Sequence, residues 1–167
     1  MVPIVEPEVL MDGSHNIEKC YQVTTDVLNE CYNELEIHKV DLKGTVLKPN
    51  MVIPGSECQD KSSAKEIAKK TIDCLKKNVP SDVPGIAFLS GGQSSEEATE
   101  HLNLMNKMCD FPWELSFSYG RALQAAPLNV WQGEERNFDA AQATFIKRAR
   151  LNSLAHQGQY SVDMEAE

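Results

Sequence analysis

No apolar run in this 167-residue chain comes near the roughly 20 residues that a membrane-spanning helix needs. The opening Met1-Val2-Pro3-Ile4-Val5-Glu6 also lacks the basic start and apolar core of a secretory leader. A membrane is therefore not an expected partner, and the default compartment is the cytoplasm. Basic runs are missing too. Sixteen lysines and arginines stand against twenty-five acids, a formal net charge of −9, and nothing in the chain could track a phosphate backbone, so nucleic acid is not an expected partner either. Cysteine is sparse and odd in number. Cys20, Cys31, Cys58, Cys74 and Cys109 include no Cys-x-x-Cys pair, which argues against a disulfide framework and against a zinc knuckle. They read as reduced thiols, with Cys20, Cys31 and Cys74 packed on apolar helical faces. His15, His38, His101 and His156 lie far apart, without the spacing of a metal site. Neither a metal nor any other cofactor is expected.

What is present is an ordinary globular composition, 41 % hydrophobic, enough to build one core. Apolar residues recur at three- and four-residue steps from about His15 to Ile37, which predicts a helix with one buried face. Ser63 followed by Glu66 is a capping-box pattern and opens a second helix that must stop at Pro80. Ser94 and Glu97 repeat the device ahead of Ala98, Leu102 and Met105. A last long helix is predicted from about Phe138 to Leu154, buried through Ala141, Phe145 and Ala149, with Lys147, Arg148 and Arg150 near its C-terminal end to suit the dipole.

Between the helices lie β-like runs at Val2–Glu6, Gly44–Lys48, Gly85–Ser90 and Glu114–Ser118. Strict alternation of strand and helix implies an α/β fold with parallel strands and right-handed crossovers, and runs apolar on both faces suit a covered sheet. The repeat of roughly 30 to 40 residues matches one eighth of a TIM (β/α)8 barrel, so four such units make the C-terminal half of one. Residues 1–160 would form this half barrel and residues 161–167 a short tail. Because the chain starts inside a strand, we expect a fragment or a truncated product. An open four-stranded flavodoxin-like sheet is the alternative architecture.

In a barrel, the C-terminal ends of the strands converge on one face. Here those ends carry Glu6, Lys48, Ser90 with Gly91 and Gly92, and Ser118 with Gly120 and Arg121. A lysine among apolar neighbours loses solvation, which favours the neutral amine that attacks a carbonyl; the imine so formed is an electron sink. Glu6, on stiff backbone between Pro3 and Pro7 and beside Glu8, is expected to be buried and to move protons. Leu89-Ser90-Gly91-Gly92-Gln93 joins a strand to a capped helix and lets backbone N–H groups approach an anion. Ser118-Tyr119-Gly120-Arg121 repeats that arrangement and adds a bidentate donor. Taken singly, each residue has a plainer reading: a solvated strand-end lysine, a glycine turn, a surface arginine, a pair of acids at a frayed terminus. Their recurrence at successive strand ends favours a phosphorylated substrate and imine chemistry.

With those residues in view, the chain resembles the class I, Schiff-base-forming fructose-bisphosphate aldolases. Val2-Pro3-Ile4-Val5-Glu6-Pro7-Glu8 is similar to the family's fifth strand and Gly44-Thr45-Val46-Leu47-Lys48-Pro49-Asn50-Met51-Val52 to its imine-lysine strand. Phe88-Leu89-Ser90-Gly91-Gly92-Gln93-Ser94 is similar to the seventh strand and Phe117-Ser118-Tyr119-Gly120-Arg121-Ala122-Leu123-Gln124 to the eighth. The resemblance implies Lys48 as the Schiff-base residue, Glu6 as general acid–base and Glu8 in support. It also implies that Ser90, Gly91, Gly92, Ser118, Gly120 and Arg121 hold sugar phosphates. The implied reaction is the reversible glycolytic cleavage of fructose 1,6-bisphosphate, without a metal, in a homo-oligomer that is a tetramer in the family. Against the family pattern, the first four βα units, with an aspartate and two lysines of the site, and the long tail with its terminal tyrosine are not found here. A non-catalytic sugar-phosphate-binding or scaffold half-barrel module is the alternative function, and exposed sheet edges would favour self-association or pairing with another half.

Overall fold

The computed structural model describes residues 1–108 and 110–166, so Cys109 and the last tail residue, Glu167, lie outside the described residues. Four strands, β1 (Ile4–Val5), β2 (Val46–Leu47), β3 (Gly85–Phe88) and β4 (Glu114–Phe117), form one parallel sheet in the order β1-β2-β3-β4. Five helices accompany them: α1 (Ile17–Ile37), α2 (Ala64–Asn78), α3 (Ser95–Asn106), α4 (Arg121–Trp131) and α5 (Phe138–His156). Sequential order with every pairing parallel is the arc of a (β/α)8 barrel; a flavodoxin-like sheet would change strand order at a switch point. Half of a barrel is therefore the architecture observed.

The first two strands are short because prolines flank them. Pro3, Pro7 and Pro49 have no N–H to give to a ladder. Register is nevertheless held beyond the strand limits: the Val46 amide donates to the Pro3 carbonyl at 3.1 Å and the Lys48 amide to the Val5 carbonyl at 2.7 Å. Side chains alternate across the sheet, so Val5, Leu47, Ile86, Phe88 and Leu115 turn to the helices, while Ile4, Val46, Ala87 and Ser116 turn to the concave face. Only the helix side is covered. Leu47, Ile86, Phe88 and Leu115 are buried with Leu28, Met51, Leu75, Leu102 and Met105, whereas Ile4 is 58 % exposed. The expectation of strands covered on both faces is thus corrected, because four strands curl too little to bury their own concave side.

α1 packs on α2, α2 on α3, and both α3 and α4 on α5. Ser94 and Glu97 form the full reciprocal capping box of α3. At Ser63 only half of the box is seen, the Glu66 amide donating to the serine hydroxyl. Cys20, Cys58 and Cys74 are buried and Cys31 is half-buried. Among the described residues no helix is long and apolar enough to cross a membrane.

Two features of the last unit depart from expectation. α4 escapes the periodicity because Pro127 sits within it and removes one helical donor, yet Pro127 is buried against α5. The inward face of α5 is Arg148, Leu151, Asn152 and Ala155, not Ala141, Phe145 and Ala149. Phe145 is 44 % exposed and lines an apolar groove of about 420 Å³ with Pro127, Leu128, Trp131, Phe138 and Ile146. Arg148 does not serve the helix dipole. Its guanidinium is buried; Nη1 donates to both carboxylate oxygens of Glu165 at 2.7 and 2.6 Å, and Nη2 to the Ser95 carbonyl at 3.0 Å and the Thr99 hydroxyl at 2.7 Å. The tail, a 3₁₀ turn over Val162–Glu165, is thereby fastened to α3 and α5.

His101 lies inside this core on α3, only 4 % exposed, and burial pushes its imidazole down from 6.5 to about 4 while the Glu97 carboxylate pulls the other way. Between those values the unfolded chain binds a proton that the folded chain refuses, so stability is fully present above pH 6.5 and falls as the pH drops through the window. His101→Asn, which cannot titrate, should remove that slope. Urea unfolding at pH 7 and pH 4 should show the parent losing about 3 kcal/mol more than the variant; equal losses would contradict the account.

Candidate active site

Parallel pairing of Ile4 with Val46 and Val5 with Leu47 carries Glu6 and Lys48 side by side to the strand ends on the concave face. There the Lys48 ammonium Nζ meets Glu6 Oε1 at 2.8 Å. The lysine side chain is 20 % exposed and the glutamate side chain 47 %. The expectation of a buried Glu6 is corrected: its side chain is half exposed, and among the described residues β1 is the edge strand of the sheet. Its ion-pair partner is Lys48.

The loops that follow β1 and β2 are locked together by a residue that motif reading passed over. Asn50, buried, accepts from the Val9 amide at 3.1 Å and donates to the Thr24 hydroxyl of α1 at 3.1 Å and to the Met51 carbonyl at 3.1 Å. One amide side chain thus joins the segment after Glu8, the segment after Lys48 and the first helix. The available signal was an asparagine entering the apolar run Met51-Val52-Ile53, a setting in which an amide must find internal partners.

After β3 the chain makes a tight turn closed by the Gln93 amide on the Ser90 carbonyl at 3.2 Å. Gly92 has φ +75°, and a Cβ there would stand 2.7 Å from Cβ of Met11. A Cβ on Gly91 would come within 3.3 Å of Glu8 Oε1. The two glycines therefore let this turn press on the β1–α1 loop. At their meeting point lies a small cleft of about 170 Å³ lined by Glu8, Asp12, Ser56, Gly91, Gly92 and Arg121, among others. Four of the expected residues, Glu8, Gly91, Gly92 and Arg121, are brought together there, with Arg121 in the first turn of α4. Ser90, Ser118 and Gly120 are not in that lining. Ser90 is buried, the Ser118 amide bonds to the Phe88 carbonyl at 2.9 Å, and Gly120 caps α4 with open space where a Cβ would stand. Among the described residues no group of three or more His, Cys, Asp or Glu could hold a metal ion.

The family model for class I fructose-bisphosphate aldolase matches residues 1–167. The chain belongs to the class I fructose-bisphosphate aldolase family. It is 52 % identical to fructose-bisphosphate aldolase B of Sparus aurata over 161 residues, covering 96 % of this chain and 44 % of that protein. It is 54 % identical over 166 residues to a protein named fructose-bisphosphate aldolase 4, cytosolic, of Arabidopsis thaliana, covering 99 % and 42 %. Human fructose-bisphosphate aldolase C is 54 % identical over 162 residues, with 96 % and 44 % covered. Among solved structures, the aldolase of Plasmodium falciparum, in complex with TRAP and a small-molecule inhibitor, superposes with a TM-score of 0.93 at 48 % identity, covering 96 % of this chain and 46 % of that one. The chain thus spans less than half the length of these aldolases, and its four strands correspond to about half of the barrel.

The glycines of the aldolase-like loops make a direct comparison possible. Gly92→Ala forces a side chain into a left-handed conformation and onto Met11, which should cost at least about 1–2 kcal/mol. Gly120→Ala, with φ −86° and open space, should stay within about 0.5 kcal/mol of the parent. Thermal melts of the two variants, run side by side, check this; equal destabilisation would mean that the turn is not pressed on Met11.

Proposed function

We propose that this chain carries the imine-forming part of a fructose-bisphosphate aldolase site, with fructose 1,6-bisphosphate or dihydroxyacetone phosphate as substrate. The observation that supports it above the others is the Lys48–Glu6 pair at the ends of two adjoining strands, 2.8 Å apart on the open face. A carboxylate in hydrogen-bond contact with an ammonium can take its proton, leaving the amine to attack a ketone carbon. The carboxyl gives its proton to the departing hydroxyl, so that loss of water from the adduct yields the protonated imine. The carboxylate then takes the proton of the substrate hydroxyl beyond the scissile bond. As that carbon–carbon bond breaks to release the aldehyde, its electrons move to the imine and leave an enamine. The same carboxyl then protonates the enamine carbon. Glu6 is proposed as the proton carrier, and Glu8, set against Gly91, as an acid that shapes the loop beside it. Backbone N–H groups of Gly91 and Gly92 and the guanidinium of Arg121 would bind phosphate, with Ser90, Ser118 and Gly120 supporting the two strand-to-helix turns. Two acidic groups in the lining, Glu8 and Asp12, would repel an anion, so Arg121 has to offset them.

The reading places the protein in the cytoplasm, in a glycolytic reaction, and as a homo-oligomer. The open concave face and the exposed edge at Ile4 favour a second reading, a sugar-phosphate-binding half barrel without turnover. Trapping separates the two. The chain is incubated with dihydroxyacetone phosphate, reduced with borohydride and mapped by peptide mass spectrometry. An adduct on Lys48, absent in Lys48→Met, is the expected result, and Glu6→Gln should form it about 100-fold more slowly. A folded parent that takes no label while still binding inorganic phosphate would leave the second reading in place of the first.

A further inference from the structure

We propose that His101 is a positioning residue for the phosphate turn, acting through Gln93; the inference rests on the proposed function of that turn. Gln93 closes the Ser90–Gln93 turn with its backbone and reaches back into the core with its side chain. There its Oε1 lies 2.6 Å from Nδ1 of His101, eight residues on in α3. In the tautomer that carries its proton on Nδ1, the imidazole donates to the amide oxygen. The turn is held at three points. The Leu89 amide bonds to the Pro49 carbonyl at 3.1 Å, which ties its start to the residue after Lys48. Gly92 rests on Met11. The His101 bond fixes its end to the helix behind it.

The third tie has no substitute. The Gln93 amide nitrogen is buried without a hydrogen-bond partner among the described residues, so His101 supplies the one polar contact that orients this side chain. An apolar residue would fill the core position of His101 without the desolvation that burying an imidazole entails. Histidine there makes sense as the donor that fixes Gln93, and through Gln93 the backbone of Gly91 and Gly92, which line the cleft together with Arg121. His101 itself would touch no substrate.

Such a role affects binding rather than chemistry, which sets the test. Trapping of Lys48 is measured against dihydroxyacetone phosphate concentration in the parent, His101→Leu, His101→Asn and Gln93→Leu. His101→Leu should raise the half-saturating concentration about tenfold, the size of one lost hydrogen bond, and leave the plateau rate unchanged. His101→Asn, whose amide nitrogen stands where Nδ1 stood, should restore it; Gln93→Leu should match His101→Leu, and the double variant should add nothing. An unchanged half-saturation in His101→Leu, or a shift that His101→Asn does not rescue, overturns the inference. If the folded parent takes no label, the imine reading fails separately, and amide NMR with inorganic phosphate decides this one. Phosphate-induced shifts at Gly91 and Gly92 that His101→Leu abolishes and His101→Asn restores would sustain it; their absence in the parent would overturn it.

Discussion

The short parallel pairing of β1 with β2 is the contact on which the site depends. Two backbone bonds, from Val46 to Pro3 and from Lys48 to Val5, set a register that leaves Glu6 and Lys48 level with each other. A slip of one residue would turn either side chain to the helix face. Prolines on both sides of the pairing limit the number of such bonds, and among the described residues β1 is the edge strand of the sheet. Placement of the reactive pair thus relies on few interactions. Asn50 compensates, since its bonds to Val9, Thr24 and Met51 hold the segments beyond both strands.

Around this pairing the structure divides its labour by face. The helix side carries the buried apolar mass, and the concave side carries the groups with chemistry. The β3–α3 turn links the two. It touches the β1–α1 loop through Gly91 and Gly92, the Lys48 strand through Leu89 and Pro49, and the core through Gln93 and His101. A displacement of α3 would therefore move the cleft relative to the lysine. Arg148 opposes such displacement by binding Ser95 and Thr99 of α3 together with Glu165 of the tail.

Much of this was legible in the sequence, where the physics is local. The period of α1, the Ser94–Glu97 box and the strand–helix alternation depend on near neighbours, and the structure agrees with them, while the family comparisons agree with the family resemblance. Properties set by distant partners were not legible. Nothing near Arg148 announces that its charge is neutralised by Glu165, seventeen residues on. The exposure of Phe145 depends on what α4 leaves uncovered, and α4 itself is masked by Pro127. Glu6 reads as buried between prolines, yet its exposure depends on the place of β1 in the sheet, at the edge among the described residues. Asn50 and Gln93 receive no role of their own from the sequence, because their side-chain partners lie far along the chain or in the following helix.

The docking of β1 in this register is read directly by native-state hydrogen exchange of the Val46 and Lys48 amides. They donate to the carbonyls of Pro3, just before β1, and of Val5 within it. Protection approaching that of the Glu114 and Ser118 amides, which donate across the β3–β4 pairing to the Pro84 and Phe88 carbonyls, is the predicted result. Exchange of Val46 and Lys48 at the rate of unpaired peptide, with β3 and β4 still protected, would show β1 detached and Glu6 not held beside Lys48, and would contradict the account.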